Sequence, residues 1–181
     1  MNQDRERLPE TRRALKPAEP RPWLTPAEAL RILEAIDCSD VSGTQTQALV
    51  SVMFYNHLRF GQALELKCGD VHLQSTSPCL LIGRKGTLTH RQDKFSVPCF
   101  PDALRALDGY IKKAHLASDP DSPMFRTIDR RTGEITSKPL SARAAHLAIN
   151  HGAQRAGIER EISLHEFRVA GAGPLKKRFE D

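Results

Sequence analysis

Four residues in three separated stretches have the types that phosphoryl transfer requires. Arg59 stands in Leu58-Arg59-Phe60-Gly61, at the junction of two expected helices. Lys85 stands in Gly83-Arg84-Lys85-Gly86, at the tip of an expected hairpin, with Lys94 farther along as a second candidate because the hairpin is long. His165 and Arg168 stand in Leu164-His165-Glu166-Phe167-Arg168, three apart on one helical turn, so both can face one point. A phosphodiester passing through a pentavalent phosphorane spreads negative charge over its non-bridging oxygens. Two guanidinium forks can each hold those oxygens bidentately. A Lys or His can then protonate the departing sugar oxygen or take a proton from the nucleophile. Singly, each residue has a plainer use. An arginine at a helix junction is commonly surface or ion-paired, a loop lysine is solvated, and His-x-x-Arg recurs by chance. Only order and context add meaning.

Elements that could position these groups begin at Trp23. Thr25-Pro26-Ala27-Glu28 reads as a capping box with proline at the first helical position, and Leu30, Leu33 and Ile36 follow at helical spacing to about Asp37. A second helix fits Thr44 to Asn56, and a shorter one runs from about Gly61 to Leu66. Pro78 to Ile82 and Phe95 to Pro98 are short extended runs around the basic stretch Arg84 to Lys94, which predicts a small antiparallel sheet with a long hairpin loop. Helical spacing returns at Asp102 to Ala117. A glycine turn is expected at Arg131 to Glu134, then a helix capped by Ser141 and stopped at Gly157. Gly171-Ala172-Gly173-Pro174 is expected to break structure before the basic Lys176-Lys177-Arg178. The fold class is therefore α+β, mostly helical with one small antiparallel sheet.

Composition narrows the partners. The chain has 181 residues, 39% of them apolar, enough for one globular domain with a core. A net charge of +5 and a pI near 9.2 suit an anionic partner such as nucleic acid, and suit an ordinary basic protein equally well. Cys38, Cys68, Cys79 and Cys99 form no C-x-x-C pair, and His146 and His151 do not stack at one-turn spacing, so no metal or cofactor is expected. No apolar run suits a membrane span and no leader is evident, which predicts a cytoplasmic protein. Residues 1–22, rich in Arg, Glu and Pro, read as a mobile charged arm.

The ordered motifs resemble those of the tyrosine recombinase (phage integrase) catalytic domain. His57 to Val71 is similar to the family's Gly-Leu-Arg-x-x-Glu-Leu-x-x-Leu-x-x-x-Asp-Ile pattern, with Arg59, Leu66, Asp70 and Val71 in matching places. His57 stands where the family has Gly, and Gln62 where it has Glu. Gly83-Arg84-Lys85-Gly86 with Ser96-Val97-Pro98 looks like the family hairpin. Ser163 to Arg168 looks like its Ser-Pro-His-x-Leu-Arg box, with Leu164 at the usual proline. The resemblance covers residues 23–170 as a catalytic domain and leaves 171–181 as a basic tail. It implies that Arg59, Lys85, His165 and Arg168 are catalytic, that double-stranded DNA is the substrate, and that other recombinase subunits are partners.

In the family a nucleophilic tyrosine follows the His-x-x-Arg box. Here Val169 to Asp181 contains no Tyr or His, and the two tyrosines, Tyr55 and Tyr110, lie on earlier elements where packing is the expected role. The resemblance thus implies a recombinase domain truncated before its nucleophile and inactive alone. A non-catalytic DNA-binding module that regulates a full-length recombinase is the alternative. Completion in trans by a partner's tyrosine also stays open, as does a basic helical domain with a chance match.

Overall fold

The computed structural model describes residues 23–83, 94–116, 119–129 and 131–178. The expected arm at 1–22 and the hairpin tip with Lys85 lie outside these residues.

The chain starts as the sequence predicts. Thr25 Oγ1 accepts from the Glu28 amide, and Glu28 accepts the Thr25 amide at 2.8 Å, opening α1 (Pro26–Ala35) with a complete capping box. The Thr25 amide and the Thr25 hydroxyl both donate to Glu28 Oε2 and hold its carboxyl below its ordinary pKa. The second helix, α2 (Val41–Phe54), begins earlier than expected because Asp40, not Thr44, supplies the cap to the Gly43 amide. Thr46, Ala48, Leu49, Val50, Val52, Met53 and Phe54 are all buried, so α2 is a central helix enclosed on every side. After α3 (Phe60–Leu64) and a single 3-10 turn, β1 (Val71–His72), β2 (Cys79–Gly83) and β3 (Lys94–Pro98) form an antiparallel sheet. Its register pairs Leu80 with Val97 and Gly83 with Lys94, which fixes both ends of the hairpin loop.

Helix α4 (Pro101–Lys113) packs across α2 and buries Leu107 and Tyr110. The glycine turn at Arg131 to Glu134 is present, with Gly133 at φ +74°, but its flanks pair as β4 (Arg126–Ile128) and β5 (Ile135–Pro139). Among the described residues the sheets therefore number two rather than one, within the same α+β class. The flanking segments are short and only partly buried, so they carry little apolar alternation to read. Ser141 caps α5 (Ala142–Arg155) and Gly157 ends it at φ +75°, as expected.

The expected break at Gly171 is not found. Helix α6 runs from Leu164 to Arg178, so the anticipated domain boundary after Ala170 falls inside it. Gly171 is there for close packing: a Cβ would collide with the Phe54 carbonyl oxygen at the end of α2. Glycine costs a helix about 1 kcal/mol, and here it lets α6 lie directly on the central helix, with Phe167 and Ala170 in the core.

Candidate functional site

The link from α2 to α3 makes one corner of the site. His57 turns the chain with φ +53°, a left-handed conformation that a residue with a Cβ enters at a cost. That explains why glycine suits the position. The turn aims the His57 carbonyl at α6, where Arg168 Nε donates to it at 2.8 Å. Arg59 follows two residues later as the exposed N-cap of α3, its amide bonded to Gln62 Oε1 at 3.1 Å. Residues 111 apart in sequence are thus joined, and the two arginines come to one corner. Among the described residues neither Arg59 nor Arg168 takes part in an ion pair.

The His57 ring fills the space behind this bond. A Cβ on Gly171 would come within 3.1 Å of its Cε1, and both ring nitrogens are inaccessible and unpaired among the described residues. Burial pushes the imidazole below its ordinary pKa, which favours the neutral ring.

His165 is exposed one turn before Arg168. Its turn is set by Glu166, a buried carboxylate that sequence reasoning passed over. Glu166 accepts the Ser163 amide at 2.8 Å, Arg160 Nη1 at 2.8 Å and the Leu24 amide at 2.9 Å. It therefore neutralises Arg160, starts α6 and ties the first ordered residues to it. The S/T-x-x-E spacing of Ser163 and Glu166 was the available signal. Asn150 fastens the approach to the box, bonding both the amide and the carbonyl of Ile162.

Of the hairpin lysines, Lys85 lies outside the described residues. Lys94, its rival, is committed elsewhere: its Nζ lies 2.6 and 2.5 Å from the two Asp70 oxygens, with only 10% and 6% of the two side chains exposed. Asp70 also accepts the Lys67 amide. The pair anchors the hairpin base to the turn after α3.

Both tyrosines are packed. Tyr110 is fully buried, donates its hydroxyl to the Met124 carbonyl at 3.1 Å, accepts from Gln45 and stacks on Phe125. Burial raises its pKa, as it does for half-buried Tyr55, which lies edge-on to Phe54. The four cysteines are free, and burial lifts Cys99 to about 11. Among the described residues no group of three His, Cys, Asp or Glu could hold a metal, and no helix is long and apolar enough to cross a membrane.

This arrangement has matches among known proteins. The family model described as "Phage integrase family" matches residues 22–178. Tyrosine recombinase XerC of Pelotomaculum thermopropionicum is 25% identical over 148 residues, covering 82% of this chain and 46% of that protein. The solved XerA recombinase gives a TM-score of 0.66 at 23% identity, covering 88% of this chain and 52% of that one. The XerH site-specific recombinase bound to difH substrate, a pre-cleavage complex, gives 0.63 at 21% identity, covering 88% and 44%. The chain thus spans about half the length of these relatives. At such identities the structural likeness speaks for the fold.

Proposed function

The chain belongs to the phage integrase family, and from that membership we propose that it is a DNA-binding domain of site-specific recombination that supplies the phosphate-binding part of the recombinase site. The observation that carries this reading is the bond from Arg168 Nε to the His57 carbonyl, which brings to one corner two arginines that form no ion pair among the described residues. Arg59 and Arg168 would hold the non-bridging oxygens of the scissile phosphate and neutralise the charge that grows there. His165, exposed on the same turn as Arg168, would hydrogen-bond the phosphate or position a proton. Lys85 remains the candidate acid for the departing 5′ oxygen, on the strength of its motif alone. Duplex DNA as partner is supported by the net charge of +5 and by a structural relative described as bound to its substrate. Four free cysteines suit a reducing cytoplasm.

Covalent strand cleavage needs a tyrosine oxygen to attack phosphorus, and the buried hydroxyl of Tyr110 and the ring packing of Tyr55 on Phe54 support a packing role for both. These 181 residues alone are therefore read as binding without cutting. The nucleophile would come from outside them, through further chain or another recombinase subunit. The same packing favours the second reading, in which the domain occupies a recombination site and regulates a full-length relative.

The test is titration of labelled duplex DNA with the chain, followed by a denaturing gel for covalent adducts. Binding that weakens steeply with salt and leaves no adduct is expected. Absence of binding would sink the phosphate reading. An adduct that survives denaturation would overturn the assignment of Tyr55 and Tyr110 to packing.

A further inference from the structure

Trp23 is the single tryptophan of the chain and the most exposed large apolar side chain among the described residues, 62% open to solvent. It is not placed loosely. The neighbouring Leu24 is buried, and its amide donates to Glu166 Oε2 at 2.9 Å, the carboxylate that starts α6. Trp23 is thereby held beside the helical turn that carries His165. The two rings meet edge to face, centroids 6.4 Å apart and planes at 70°. Arg168 lies one turn farther along α6.

We propose that Trp23 is a DNA-backbone contact residue, its ring packing on the deoxyribose beside the phosphate held by Arg168 and His165. This deepens the phosphate reading of that corner and rests on it. An indole offers a broad apolar face to a sugar whatever base it carries, and the sugar beside a bound phosphate comes within reach of it. A docked protein is the less apt occupant. It would bury His165 and Arg168, which forms no ion pair among the described residues, at a desolvation cost that only further counter-charges would offset. Among the described residues the other exposed large apolar side chains are scattered: Leu30, Phe95 and Leu147 lie on α1, β3 and α5, and Val169 on α6.

Because no other tryptophan exists, its fluorescence reports on this position alone. The experiment titrates the full chain with unlabelled duplex DNA, reading tryptophan emission and acrylamide quenching, beside anisotropy of the same duplex carrying a label. In the free chain acrylamide should reach the ring freely. On binding, emission should change with the anisotropy midpoint and quenching should drop at least twofold. Trp23→Ala should weaken binding about fivefold or more, the weight of one apolar ring face covered by a sugar, and Trp23→Phe should restore most of it. That loss should persist at higher salt, since no counterion is released by such packing. An anisotropy rise with unchanged emission and quenching would overturn the contact while leaving the phosphate reading intact. No anisotropy rise would overturn both. Shielding that grows with protein concentration without DNA would overturn the contact in favour of a protein partner.

Discussion

Two corners of this molecule hold cations in opposite ways. At the base of the hairpin, Lys94 is locked between both oxygens of buried Asp70, and its charge is spent inside the protein. At the α2–α3 junction, Arg59 and Arg168 share no ion pair among the described residues, and Arg168 is oriented by a neutral carbonyl. A carbonyl fixes a guanidinium's direction without cancelling its charge, whereas a carboxylate does both. The first corner is built to hold structure, and the second leaves charge available to an anion. Arg160 follows the first pattern, neutralised by Glu166 close to the site without competing in it.

The largest effect expected is on stability at the closed corner. Asp70→Ala strands Lys94 as a buried, unpaired charge and should cost about 3–5 kcal/mol in urea unfolding. A loss below about 1 kcal/mol would show that the pair is solvated and the contrast false. Next comes Arg168→Ala at the open corner. It should weaken duplex binding roughly tenfold or more, uniformly across sequences, with little change in fold. An unaltered affinity would move the phosphate contact elsewhere. Tyr110→Phe should cost about 1 kcal/mol of stability by removing one buried hydroxyl bonded to Met124, and leave DNA affinity unchanged. A fall in affinity with stability intact would instead tie Tyr110 to the site.

The smallest effect concerns pH. Burial holds the His57 ring below its ordinary pKa. As pH falls through about 6.5 the unfolded chain takes up the proton first, so stability declines there and levels off below the folded pKa. His57→Asn keeps a residue that tolerates φ +53° but cannot titrate. The variant should lose less of its urea midpoint than the wild type between about pH 8 and about pH 5. Equal losses would place the titration at another histidine.

What the sequence made legible was local. The Thr25 box, the Ser141 cap, the Gly157 stop and the β2–β3 hairpin each depend on residues within a few positions of one another, and each was found. What it hid depended on distant partners. Glu166 looks like an ordinary helical acid until it meets the Leu24 amide, 142 residues away. His57 gave no sign that its carbonyl would hold Arg168. Gly171 looked like a breaker because the chain it packs against lies on another helix. The family pattern pointed to Arg59, His165 and Arg168, and the fold brings Arg59 and Arg168 to one corner. It could not say that Lys94 was already taken by Asp70, since that pair exists only once β3 lies beside the turn after α3.

The most direct test of the open corner is the slope of log affinity for duplex DNA against log salt, measured for the wild type, Arg168→Ala, and the double variant Asp70→Asn with Lys94→Met. The double variant keeps an acceptor for the Lys67 amide while removing the closed corner's charges. A steep wild-type slope is expected, reduced by about one in Arg168→Ala and unchanged in the double variant. A slope that drops equally in both variants, or a wild-type affinity indifferent to salt, would contradict the division of cations described above.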